Sequence, residues 1–156
     1  MEKIWHRECV TGRRFIIKIQ PGQKITATLL AFAESKDIHF ASMVSAVGSV
    51  RDVEFKDIQT GAHLPMTEPR IKTHRLEGPM ELLGLEGNIA LDADKRLGAQ
   101  FHILASKASG EVVGGHLVDA EVFATCEIVL AEYLVEGIER YHSATTGVDT
   151  LYFEEQ

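Results

Sequence analysis

The sequence predicts an α+β domain: a curved, mostly antiparallel sheet with one main helix after the first strand. Three observations predict it. A single helical period stands against many alternating segments, the connectors between those segments are only a few residues long, and no repeat, linker or low-complexity stretch divides the 156 residues. Short connectors favour antiparallel neighbours, because a parallel crossover needs about a dozen residues or more. With 45% hydrophobic and 25% charged residues, the chain has the make-up of one globular domain spanning 1–156.

Arg13–Ile19 reads as a strand, with Phe15, Ile17 and Ile19 alternating with Arg14, Ile16 and Lys18 until Pro21-Gly22 stops it. From Gln23 to about Ser35, Ile25, Leu29, Phe32 and Ala33 fall at helical spacing. Ala41–Val50 is small and β-branched, a buried strand in which Gly48 lets another backbone approach. Val53–Ile58 alternates as a half-exposed strand, and Gln59–Pro69, holding Gly61, Pro65 and Pro69, reads as a loop. Strands are then predicted at Arg70–Leu76, Met80–Leu91, Leu97–Lys107, Glu111–Val118 and Val122–Val135. Their connectors are Glu77-Gly78-Pro79, Asp92–Arg96, Ala108-Ser109-Gly110 and Asp119–Glu121, and Asp149–Glu154 is a candidate last strand.

The net charge of −7 disfavours charge-driven wrapping of a polyanion. The charge is uneven: residues 1–76 carry +4, residues 77–136 carry −8 and residues 137–156 carry −3. The acidic excess lies in the strands that hold the candidate site, where a cation is the expected guest rather than a phosphate. The first residues lack the apolar run of a signal peptide, no stretch has the length of a membrane span, and Cys9 and Cys126 have no short spacing. A cytoplasmic location is therefore expected, with Cys126, set among Val122–Leu130, as a small core residue.

No His-Glu-x-x-His, paired-cysteine, Gly-x-x-x-x-Gly-Lys or Gly-x-Ser-x-Gly pattern is present, so seven histidines carry what site chemistry the sequence offers. His102 and His116 lie on the two arms of the hairpin around Ala108-Ser109-Gly110. A three-residue loop with Gly110 left-handed pairs Lys107 with Glu111 and sets His102 opposite His116, whereas a two-residue Ser-Gly turn separates them to opposite faces. In the first register their Cβ atoms stand about 4.5–5.5 Å apart, close enough for both imidazoles to ligate one divalent ion such as zinc at roughly 2.0–2.1 Å. Gln100 shares their face and is a poor zinc ligand, which leaves His74, His39 or a neighbouring subunit to supply a third donor. A neutral, hydrogen-bonded histidine pair without metal fits the pattern equally well. Gly114-Gly115 weakens the strand just before His116, so something comes close there: a bulge, a ligand or the backbone of another subunit. Glu81, Glu86 and Glu127 fit the solvent faces of alternating strands and receive no catalytic role.

Four stretches together resemble one known family: Arg14-Phe15 with Pro21-Gly22; Ala46-Val47-Gly48-Ser49-Val50; Glu81-Leu82-Leu83-Gly84-Leu85-Glu86-Gly87; and Gly110-Glu111-Val112-Val113-Gly114-Gly115-His116-Leu117. In this order they resemble the plants and prokaryotes conserved (PPC) domain, or DUF296, across about residues 10–153. The resemblance implies an antiparallel sheet flanked by helices and assembly as a homotrimer. It also implies, in prokaryotic relatives, a second histidine two residues before the position of His102, completing a metal site where this chain has Gln100. Plant members follow an AT-hook and bind DNA; the Arg-Gly-Arg-Pro core that fills a minor groove is absent here.

The leading expectation is a homotrimer that binds a metal ion or small molecule at His102 and His116, with Gly114 and Gly115 lining the ligand's approach and enzymatic activity left open. The alternatives are a DNA-associated regulatory protein and a partner-binding trimer without chemistry, and no contact with a membrane is expected.

Overall fold

The computed structural model of the chain describes residues 4–153. Among the described residues the elements run β1 (Val10–Ile19), α1 (Ile25–Ser35), β2 (Phe40–Ile58), β3 (Ile71–Leu76), β4 (Met80–Leu91), β5 (Leu97–Ser106), β6 (Val112–Leu134), β7 (Ile138–Ser143) and β8 (Val148–Phe153). A 3-10 turn at Glu68–Arg70 precedes β3. All pairings between these strands are antiparallel, as the short connectors predict. Six strands form one sheet in the order β1-β6-β5-β4-β2-β3, with β2 also paired to β6. Because β2 pairs with β4 and β6, β6 with β5, and β5 with β4, these four strands close a hydrogen-bonded circuit.

Two expected breaks are absent. Ala41–Val50 and Val53–Ile58 belong to one 19-residue strand, β2, in which Asp52 takes a φ of 48° and its N–H donates to the Glu77 carbonyl at 2.8 Å. The left-handed residue bends the strand without ending it. Likewise Asp119–Glu121 is an irregularity inside the 23-residue β6, not a connector. Its purpose is visible at α1, whose first turn holds no acidic residue and whose Lys24 N-cap makes no side-chain cap. The Asp119 carboxylate accepts from the Thr26 N–H at 3.0 Å, satisfying a helix-end amide and meeting the positive end of the helix.

Ile25, Leu29 and Ala33 of α1 pack against Ile19, Leu85, Phe101, Ile103, Ile128 and Leu130 in one core. Each large side chain fully buried there contributes about 1.5–3 kcal/mol. Cys126 lies in the same core, where burial pushes its thiol up to about 11. A Cβ at Gly48 would meet the Thr125 carbonyl at 2.1 Å, so the backbone that approaches Gly48 is that of β6.

Strand parity then fixes the outer face. Phe55, Leu85, Phe101 and Leu117 are buried, so Lys56, Glu86, His102 and His116 point away from the core. Outside the circuit lies a separate hairpin of β7 and β8. The sequence foresees β8, whose expected Glu154 lies outside the described residues, but not β7. The turn of this hairpin is fastened by Met66, whose N–H donates to the Thr146 carbonyl at 2.7 Å.

Candidate functional site

The β5–β6 turn takes the three-residue form. Gly110 has φ 83°, its N–H donates to Lys107 O at 2.8 Å, and the Lys107 N–H donates to Glu111 O at 2.9 Å. That turn sets the register, and His102 stands directly opposite His116 with ring centroids 5.7 Å apart and planes at 81°.

The pair is the middle of a longer row. Glu86 on β4 pairs with His102 on β5, His102 with His116 on β6, and His116 with Lys56 on β2, so four ionisable side chains cross four adjacent strands on one face. His116 loses basicity to burial first, and then to His102, Lys56 and Arg140. Two residues further along the same face, Asn88 pairs with Gln100. Onto those two amides comes Arg140 of β7, 7% exposed: one terminal nitrogen donates to Gln100 Oε1 at 2.7 Å and the other to Asn88 Oδ1. Its Nε is buried without an acceptor, and burial lowers the basicity of the guanidinium. Arg140 thus docks the hairpin on the sheet through neutral partners.

Between the hairpin and the sheet lies a cleft of about 540 Å³, walled by Lys56, Gln100, His102, His116 and Arg140 on its polar side. Ile58, Met66, Ile71 and Val148 supply apolar wall. Gln100 and His102 also border a second recess of about 440 Å³, with Glu86 and Leu151. Asp57 and Asp149 line the main cleft but already accept from histidines, His74 at 3.3 Å and His142 at 2.9 Å.

Of the residues singled out in the sequence, His102 and His116 come together as the turn requires. His74 stacks on Phe55 at 4.9 Å, on the core side of β3, one step of parity away from the pair. His39 pairs with Asp37 beside a different recess, with Leu30 and Leu91. Gly114 and Gly115 are close-approach positions: a Cβ would lie 2.1 Å from Ile103 O at the first and 2.3 Å from Asp57 Oδ1 at the second. The chain's own strands press on both, and that tight packing seats His116 between His102 and Lys56.

Among the described residues no three His, Cys, Asp or Glu side chains stand together as a metal-holding group. Two imidazoles are one donor short of a typical catalytic zinc site and two short of a structural one, and the amide at position 100 is committed to Arg140. The donor set therefore fits at most a two-histidine site completed from outside the chain. The sequence missed Arg140, Asn88 and Lys56; they are isolated polar residues in unremarkable patterns, and only strand register and the unforeseen β7 assemble them.

The sequence model of the Plants and Prokaryotes Conserved (PCC) domain matches residues 6–134. A metal-containing protein of Archaeoglobus fulgidus shares 30% identity, with 97% of this chain and 100% of that one covered and a TM-score of 0.81. A plant- and prokaryote-conserved protein of Pyrococcus horikoshii shares 25% identity, with 98% and 99% covered and a TM-score of 0.79. A proposed DNA-binding protein of Bacteroides thetaiotaomicron, at 20% identity with 94% and 99% covered and a TM-score of 0.77, shares the fold. The bifunctional protein GlmU of Synechococcus sp. is 29% identical over 143 residues, 91% of this chain, which spans only 21% of that protein's length.

Proposed function

The chain belongs to the Plants and Prokaryotes Conserved domain family, and from that premise we propose that it is a binding domain for a small molecule, seated in the cleft over His102 and His116. The observation that carries this reading is the facing histidine pair in the wall of a cleft roofed by the β7–β8 hairpin. Such a concave site, part apolar and with a few converging polar groups, has the make-up of ligand pockets in general. Native mass spectrometry of untagged protein tests it, with His102→Ala and His116→Ala alongside. A co-purifying small molecule, lost from both variants, is the expected result; its absence from the wild type, together with no thermal stabilisation by a metabolite extract, overturns the reading.

The metal-containing relative from Archaeoglobus fulgidus favours a second reading, in which a divalent ion such as zinc sits on the two imidazoles with its other positions taken by water or ligand. Zinc content of the same untagged preparations tests it, and equal content in wild type and both variants overturns it. A DNA-associated role rests on the basic excess before residue 77 and on the names of distant structural neighbours. Phosphate contacts would make duplex affinity fall steeply with salt, and no binding at low salt removes that role.

Homotrimeric assembly is part of the proposal. Ile16, Val47, Leu104 and Phe123 alternate with core residues and are 45–89% exposed, so large apolar side chains recur on the outer face of the sheet. Exposed apolar surface of this kind fits burial against further copies. Sedimentation at micromolar concentration tests it, and a monomer overturns it. Cys9 and Cys126 are unpaired, which suits a reducing cytoplasm, and no described helix is long and apolar enough to cross a membrane.

A further inference from the structure

Resting on the cleft reading above, we infer that the small molecule is an organic carboxylate, its carboxylate held by the Arg140 guanidinium and its apolar body set against Ile58, Met66, Ile71 and Val148. Arg140 is 7% exposed and makes no ion pair with a described carboxylate. A buried cation without a counter-ion is costly, and folded chains ordinarily neutralise one or leave it in water. Here the compensation is only partial: Asp149 acts on the guanidinium through its field, while its hydrogen bond goes to His142. The two terminal nitrogens each spend one hydrogen on a neutral amide, from Gln100 and Asn88. A guanidinium carries five donor hydrogens, so one on each terminal nitrogen and the one on Nε remain uncommitted. The amides fix the plane of the fork without cancelling its charge, which is the pre-organisation that two-point recognition of a carboxylate needs.

The rest of the cleft points to one negative charge rather than two. Lys56 adds a second cation, whose acidic neighbour, the exposed Glu68, stands 3.9 Å away. Asp57 and Asp149 also line the wall, and although each is engaged by a histidine, both repel a doubly charged phosphate more than a singly charged carboxylate. About 540 Å³ accommodates a molecule of modest size, and the apolar wall faces the part of it that carries no charge. Seating this anion calls for no metal ion, because the guanidinium supplies the fixed positive charge.

Calorimetric titration of the full chain with benzoate, its neutral counterpart benzamide, and inorganic phosphate tests the assignment. Benzoate is expected to bind at least about tenfold more tightly than benzamide, and more tightly than phosphate. Asn88→Asp keeps Arg140 in place but hands it an internal carboxylate, and is expected to weaken benzoate at least about tenfold while the protein stays folded. Arg140→Lys, which keeps the charge and loses the fork, is expected to weaken it as well. Benzamide binding as well as benzoate, phosphate binding better, unchanged benzoate affinity in Asn88→Asp, or no benzoate binding at millimolar concentration each overturns the assignment. The cleft reading survives separately if benzamide binds and His102→Ala or His116→Ala abolishes that binding.

Discussion

Arg13 and Arg140 each tie two elements together through the guanidinium, yet the chain treats their charges in opposite ways. Arg13, on β1, donates from Nε and a terminal nitrogen to the two carboxylate oxygens of Glu132 on β6, both at 2.7 Å. Glu132 also accepts from the Arg13 backbone N–H at 3.0 Å, and these contacts hold its carboxyl down at about 2. Arg140 has the same fork and is the more buried of the two, but meets only amide oxygens. The first is a finished staple across β1 and β6, with its counter-ion built into the sequence. The second holds the hairpin in place while its charge stays unspent, so stability is concentrated at one arginine and recognition at the other.

The largest effect is expected where that contrast is tested directly. Arg13→Met strands the Glu132 carboxylate, 5% exposed, without its partner, and should lower the urea midpoint of unfolding clearly at unchanged slope. Arg140→Met removes a buried cation that has no ion-pair partner along with two hydrogen bonds, and these offset one another to within about 1 kcal/mol. Equal losses in the two variants would break the comparison and make Arg140 a structural staple like Arg13.

Acid sharpens the same contrast. The Glu132 carboxyl lies at about 2 in the folded chain against an ordinary 4.5, so the unfolded chain binds its proton first. Its contribution is fully present above about 4.5 and is lost as the pH falls towards 2. Glu132→Gln should flatten the decline of the thermal midpoint in that window, and an unchanged decline would show that other carboxylates govern it. Gln100→Glu makes the Arg140 site resemble the Arg13 site, and should add about 1 kcal/mol at neutral pH. No gain there would mean that the guanidinium is already neutralised in solution.

The two arginine sites also differ in how far the sequence reveals them. Register around Gly110 follows from turn chemistry, so the facing of His102 and His116 is readable from a few consecutive residues. The boundaries of β4 and the core role of Cys126 are equally local, resting on periodicity and composition. What escaped is non-local. Asp52 and Asp119 look like strand ends because polar, turn-forming residues usually end strands, yet each sits in a bulge whose purpose depends on another element. Arg140 comes from β7, whose six residues alternate too weakly to signal a strand, and its partners lie 40 and 52 residues away. The charge count is blind to the same contacts: the strands after residue 76 are acidic, and on that count a cation is their natural guest. Folding brings Lys56 from the basic segment and Arg140 from the last one onto that face, where they share the cleft wall with Asp57 and Asp149.

The smallest expected effect is read at one imidazole. His116 is held below its ordinary 6.5, by burial and then by His102 on β5, Lys56 on β2 and Arg140 on β7, while Asp149 on β8 pulls the other way. A lowered imidazole means that the unfolded chain takes the proton more readily, so the contribution of His116 to stability is complete above 6.5 and erodes as the pH falls below it. Proton NMR of chelator-treated protein should find His116 titrating below 6.5, and His102→Ala or Lys56→Met should each move it back upward. Benzoate in the cleft should move it upward too, since an anion among these groups favours the imidazolium. A His116 that titrates at or above 6.5 without ligand would mean that the outer face is electrostatically balanced already, and that Arg140 and Arg13 differ in burial but not in purpose.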